Sequence, residues 1–191
     1  MNAEKKNPIA TMRMASGADI VIELLPDAAP NTVASFIHLA KLGVFDGHAI
    51  QRICPGRWVD MSYSAFGREE AKYLIPFESK LHPEIEPLDS HPGCVCMGGY
   101  EAGIAGGEFF FPVKDCPNHK GIYPVFGHVI SGMDEIYRIE KVPTKPVGDG
   151  RIEINEPLSP EVIESVTVET FGVEYPEPIK LEDAPRPKSW M

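Results

Sequence analysis

AIQRICPGRW, residues 49–58, is the stretch on which the reading of this chain turns. Ile50, Ile53 and Cys54 want burial, Pro55-Gly56 stops the run, and Arg52 sits in its middle. A guanidinium keeps its charge in any protein, and hiding one without a partner is costly. Arg52 therefore either pairs with a carboxylate or faces a half-open groove and acts there.

Upstream, IATMRMASGADIVIELL (9–25) holds two β-rich runs around the turn dipeptide Ser16-Gly17. Ile20, Ile22 and Leu24 alternate with Val21, Glu23 and Leu25, which predicts a hairpin. Pro30 suits a first helical position, and Val33, Phe36, Ile37 and Ala40 follow the spacing of a helix face, ended by Gly43. His38 falls between these core positions, as an edge or solvated histidine. Downstream come short apolar runs broken by Gly and Pro: RWVDM, GCVCM, EFFFPV and YPVFGHVI. GMDEIYRIEKV reads as a second helix, with Asp134 and Glu135 at its positive end and Met133, Ile136 and Tyr137 on its apolar face. VIESVTVETF reads as an alternating last strand, and the Pro-rich insert from Val142 to Pro160 as a surface loop. Many short strands with two helices point to a closed or nearly closed barrel.

The bulk numbers narrow the function. A chain of 191 residues builds one domain with a real core. A net charge of −10 argues against a nucleic-acid partner, which needs a basic patch. No apolar run is long enough to span a membrane, and MNAEKKNPIATMRM lacks the apolar centre of a signal peptide. Cys54, Cys94, Cys96 and Cys116 make one C-x-C and no zinc spacing, so no metal or other cofactor is expected. They read as buried thiols of a cytoplasmic protein. GGYEAGIAGGE lacks the lysine of a phosphate loop and precedes a strand-like FFF, which removes a nucleotide reading. No G-x-S-x-G elbow or H-E-x-x-H appears, so hydrolysis has no convincing nucleophile.

A shallow apolar groove with one fixed cation suits a reaction in which no bond between heavy atoms breaks. Rotation about an X–Pro bond is such a reaction, with a barrier of about 18–20 kcal/mol set by amide resonance. A donor aimed at the prolyl nitrogen favours its lone pair leaving conjugation, while an apolar pocket grips the ring. Pattern alone leaves this as one possibility among several.

The ordered set IELLPDAAPNTVASFIHLA, FDGHAIQRICPG, SHPGCVCM, GEFFF and VFGHVISGMDEI narrows the field. From about Ala18 to Thr170 the chain resembles the cyclophilin-type peptidyl-prolyl cis/trans isomerases, as a divergent, bacterial-like member. The resemblance implies a mainly β fold, a closed eight-stranded antiparallel barrel capped by two α-helices. Composition sets a Pro- and charge-rich tail at 172–191, which cannot build a core alone, apart from a barrel domain at 1–171. In that tail Trp190 is either a docking anchor or part of an untethered end. The implied activity is isomerisation of X–Pro bonds in peptides and in unfolded protein clients, without metal or cofactor.

By the same resemblance Arg52 falls on the catalytic arginine, in the pattern Phe-His-Arg-apolar-apolar-Pro-Gly. Phe110 falls on the phenylalanine of the proline pocket. Gly98 and Gly99 take the step whose backbone contacts the residue before proline. Glu108 occupies a glutamine position and Tyr123 that of a groove histidine. The departures are several. Gln51 replaces a histidine, Arg57 stands where a second pocket phenylalanine belongs, and Trp58 replaces a methionine. Asp60 replaces the glutamine that supports the arginine, and Asn118 or His119 stands where a tryptophan or apolar residue lines the pocket. Asp60 is expected to pair with Arg52 or Arg57, either holding the arginine for catalysis or locking it away. Trp58 offers a ring in place of the lost phenyl, and Arg57 a cation to stack on it. Two other readings stay open: a catalytically weak or inactive prolyl-peptide binding module on the same fold, and a scaffold that acts through its tail.

Overall fold

Two strands, β1 (Ile9–Met14) and β2 (Asp19–Leu24), pair antiparallel, and Gly17 at φ +90° makes the reversal that joins them. Ala10, Met12, Met14, Ile20, Ile22 and Leu24 are all fully buried, so the alternation puts one face of the hairpin in the core. In the computed structural model of the protein, residues 6–63, 67–147, 150 and 153–191 are described. Helix α1 (Pro30–Lys41) follows, with Val33, Phe36, Ile37 and Ala40 inside and Gly43 in the left-handed region just beyond. Ala29 offers this helix no side-chain cap. Glu78 supplies one from a distance, accepting from the Thr32 amide at 2.6 Å and the Thr32 hydroxyl at 2.7 Å.

The remaining strands are short: β3 (His48–Ala49), β4 (Arg52–Cys54), β5 (Trp58–Asp60) and β6 (Leu74–Ile75). The longer β7 (Cys94–Tyr100), β8 (Gly103–Pro112) and β9 (Val125–Ser131) follow. Then come β10 (Thr144–Pro146), β11 (Asn155–Pro157) and β12 (Val162–Glu169). Helix α2 (Glu78–Leu81) is a single turn, and α3 is Met133–Glu140. Ile136 and Ile139 carry the buried face of α3, whereas Tyr137, expected there, is exposed.

The twelve strands of the described residues belong to one antiparallel sheet, in the order β10-β11-β4-β5-β8-β7-β9-β2-β1-β12-β3 with β6 on β8. The expectation of a closed eight-stranded barrel with two helices is therefore corrected. Among the described residues the path has two ends, β10 and β3, that do not pair, and three α-helices are present. The reason is local. Closure would join β3 to β4 across the two residues that separate them, but both edges of β4 are taken, by β5 and by β11. At the other end β10 stops in Pro146, which has no amide to donate. The Val142–Pro160 insert, expected as a loop, thus contributes β10 and β11; its residues 148, 149, 151 and 152 lie outside the described residues.

Strand β12 also departs from strict alternation. Its pairing with β1 runs Arg13↔Ser165 and then Met14↔Ile163, so Glu164 is an extra, bulged residue. Ile163 and Val166, three apart, consequently both face inward. The core centres on Phe36, which packs against Phe45, Phe109 and Phe126 at centroid distances of 5.1, 5.4 and 5.3 Å. Gly106 on β8 is required by this packing, because a Cβ there would stand 2.4 Å from the Tyr73 ring. No helix among the described residues is long and apolar enough to cross a membrane.

The tail does not hang free. Asn31 both donates to and accepts from the backbone of Ile179, at 3.1 and 2.8 Å. Leu181 donates to Leu74 of β6, Lys180 stands over the Tyr73 ring, and Trp190 ends the run with 5% exposure. Of the two expectations for Trp190, the docking anchor is the one that holds.

Candidate active site

The ladders β4–β5, β5–β8 and β8–β7 set Arg52 opposite Asp60, Asp60 opposite Phe110, and Phe110 opposite Cys96. Neighbouring strands lie about 4.8 Å apart, so these residues form one lateral row across four strands. Alternation along β8 turns Phe109 and Phe111 into the core and Glu108 and Phe110 to the other face. Sequence neighbours on this strand therefore serve different purposes.

The row opens on a groove of about 300 Å³ lined by Arg52, Trp58, Asp60, Tyr63, Gly98, Gly99, Tyr100, Glu108, Phe110, His119 and Tyr123. Nearly every residue singled out from the sequence meets here. Arg57 does not: it is exposed on the turn between β4 and β5, and no stacking of it on Trp58 forms among the described residues. Tyr63 and Tyr100 were missed. Nothing in the spacing marks them, and only the pairing of β7 with β8 brings Tyr100 to the same rim as Glu108.

One end of the groove is aromatic. Phe110, His119 and Tyr123 meet edge to face at 4.9 to 5.8 Å, and Trp58 packs on Phe110 at 6.0 Å and on His119 at 5.4 Å. Burial, helped by the charge of Arg57, lowers the His119 pKa, so the ring is the more readily neutral and apolar in character. Beside this cluster Gly98 runs so close to β8 that a Cβ would stand 3.0 Å from the Glu108 carbonyl. The backbone is thereby left bare along the groove floor.

At the other side stands Arg52. Its Nε is 3.4 Å from Asp60 Oδ2, and its guanidinium lies 4.5 Å above the Tyr63 ring. Trp58 Nε1 donates to the same Asp60 oxygen at 3.0 Å. Among the described residues the two terminal nitrogens of Arg52 make no hydrogen bond, and its side chain keeps 23% exposure. Asp60 thus holds the stem side of the guanidinium and leaves the outer edge toward the groove.

Burial pushes the Asp60 pKa up to about 6, against the opposing pull of Arg52 and the Trp58 hydrogen bond. An unfolded aspartate titrates near ~3.9, so between about pH 4 and 6 the native state binds more protons than the unfolded one. Stability from this group is therefore present at low pH and lost as pH rises through about 6. Asp60→Asn should remove that slope, on the order of 2 kcal/mol. Denaturant midpoints at pH 5 and 7 check this. Parallel pH dependences in wild type and variant would contradict it.

Residues 9–168 match the family model described as "Cyclophilin type peptidyl-prolyl cis-trans isomerase/CLD". The chain is 31% identical over 149 residues to "Peptidyl-prolyl cis-trans isomerase-like 2" of Cryptococcus neoformans, covering 77% of this chain but only 25% of that protein. It is 32% identical over 120 residues to "Peptidyl-prolyl cis-trans isomerase B" of Bacillus subtilis, covering 62% of this chain and 80% of that one. A Cryptosporidium parvum cyclophilin type peptidyl-prolyl cis-trans isomerase, crystallised in the presence of the dipeptide Ala-Pro, aligns with a TM-score of 0.65. It covers 84% of this chain and 98% of its own at 17% identity, which speaks to the fold. The family match takes in the whole groove, from Arg52 to Tyr123, and the chain belongs to the cyclophilin-type peptidyl-prolyl cis-trans isomerase family.

Proposed function

We propose that this protein is a peptidyl-prolyl cis/trans isomerase acting on X–Pro bonds of extended peptides and unfolded protein clients. The observation that carries the reading is the lateral row in which a partly exposed Arg52 flanks an aromatic pocket built on Phe110. Phe110, His119, Tyr123 and Trp58 take the proline ring. The bare backbone of Gly98 and Gly99 pairs with the residue before it. Arg52 is the catalytic residue, and Asp60 its support.

The chemistry asks little of the protein. Rotation about the imide bond pyramidalises the prolyl nitrogen and returns its lone pair to that atom. The outer N–H groups of Arg52 donate to that developing lone pair, and the aromatic wall fixes the ring while the acyl part turns. Both interactions are stronger in the twisted state than in either planar one, which is what lowers the barrier. Shortening tens of seconds to milliseconds takes about four decades, or roughly 5.5 kcal/mol. A charge-assisted hydrogen bond in a partly dry groove together with ring packing is of that order.

The runner-up is binding without turnover, favoured by the ion pair between Asp60 and Arg52 if it draws the cation away from the imide. The reading also includes a cytoplasmic location, in keeping with four buried thiols, and a catalytic body at 1–171 with a C-terminal segment from 172 to 191. Refolding of a client whose slow phase is a prolyl isomerisation tests it. Catalytic amounts of the protein should accelerate that phase, and an unchanged slow phase beside measurable client binding would leave only the binding module.

A further inference from the structure

The C-terminal segment ends behind the groove wall. Trp190 Nε1 donates to Glu108 Oε1 at 2.5 Å, and the indole meets Tyr100 edge-on with centroids 5.6 Å apart. The Tyr100 hydroxyl donates to Glu108 Oε2 at 2.9 Å and lies 2.8 Å from Ser189 Oγ. Tyr100 and Glu108 line the groove, whereas Trp190 lines the separate cleft of about 570 Å³ between the tail and Lys72–Leu74. Among the described residues Trp190 meets the groove lining at Glu108 and Tyr100. The first of these contacts holds one oxygen of the Glu108 carboxylate directly, and the second packs on the tyrosine that holds the other; Glu108 is itself 7% exposed.

Geometry says which part of a peptide passes this point. Glu108 and Phe110 share a face of β8 two residues apart, about 6.6 Å, which is two residues of extended chain. With the proline ring on Phe110 and the preceding residue along Gly98 and Gly99, the next residue upstream lies beside Glu108 and Tyr100. A carboxylate that lines the groove beside that position, held by a tryptophan N–H and a tyrosine hydroxyl, attracts a cation there and repels an anion.

We infer that the C-terminal segment, through Trp190, sets which residue two positions ahead of the proline is accepted, favouring a cationic side chain over an acidic one. The inference rests on the isomerase reading of the same groove and adds a positioning residue to it. Trp190 holds Glu108 in place and touches no substrate. Like-charge repulsion on one side and a charge-assisted contact on the other give lysine an advantage over glutamate of about ten-fold.

The test uses peptides with Lys, Ala or Glu two residues before the proline, measured on the full chain for kcat, KM and Kd. Wild type should prefer Lys to Glu through KM, and Trp190→Phe, which keeps the ring and removes the N–H, should shrink that ratio several-fold. A uniform change across the three peptides would reduce the tail to structural support and overturn the inference, as would an unchanged ratio or a wild type indifferent to charge. Glu108→Gln should abolish the ratio too, and a ratio that persists in it would likewise overturn the inference should Trp190→Phe fail to fold. Should wild type bind the panel with the Lys preference in Kd but not turn over, the isomerase reading fails and the specificity stands. Turnover with a ratio untouched by Trp190→Phe is the opposite result.

Discussion

Arg52→Ala is expected to lower kcat/KM on a proline-containing peptide by about a hundred- to a thousand-fold, the usual effect of removing one donor aimed at a developing charge. The loss should lie in kcat. Peptide grip comes from the aromatic pocket and the bare backbone of Gly98 and Gly99, which the variant leaves in place. The fold should survive, because among the described residues Arg52 makes one ion pair, at 3.4 Å, and one contact with the Tyr63 ring, and it stands at the groove rim. Its removal does leave Asp60 without its cation, and the Asp60 carboxyl, already raised by burial, should move further up. A protease-coupled assay beside a thermal melt separates the effects. Wild-type turnover in a folded Arg52→Ala protein would mean that another group polarises the imide.

Phe109→Ala should cost about 3–5 kcal/mol of stability, the range for deleting a fully buried phenyl ring. Phe109 is fully buried and meets Phe36, Phe45 and Phe111 edge to face at 5.4, 5.4 and 6.1 Å. Its backbone is pinned as well: its amide donates to Ser62 Oγ at 2.9 Å and its carbonyl accepts from Met61 at 3.0 Å. The rigid strand around it leaves little freedom for the cavity to collapse, which favours the upper part of the range. Phe109 also backs the strand that presents Glu108 and Phe110, so surviving molecules should show a raised KM. Denaturant unfolding reads the stability directly, and a loss below about 1 kcal/mol would show that the aromatic core repacks.

Much of this was legible in the residues. Arg52 stood out because a permanent charge interrupts an apolar run, and the structure accounts for it with a carboxylate one strand away. The hairpin and α1 followed from periods of two and of a helix face, signals that burial produces directly. What escaped depends on partners distant in sequence. The edge of β4 is occupied by β11, a strand about a hundred residues later with no periodic signal, and so the ring expected from the resemblance stays open. The bulge at Glu164 breaks an alternation that looks perfect in sequence. The tail has the composition of a free end, and its docking depends on Asn31, Leu74 and Glu108, each more than seventy residues from its contact. Tyr63 and Tyr100 enter the groove for the same reason, since a lone tyrosine announces nothing until the strand beside it is known.

The most direct measurement is exchange spectroscopy of a short X–Pro peptide at equilibrium with a small amount of the protein. If Arg52 loosens the imide bond, cross-peaks between cis and trans resonances should grow in proportion to the protein added, with the free peptide's cis-to-trans ratio unchanged. Peptide resonances that shift on binding while cis–trans exchange stays at its uncatalysed rate would contradict that claim and leave the groove a site of recognition alone.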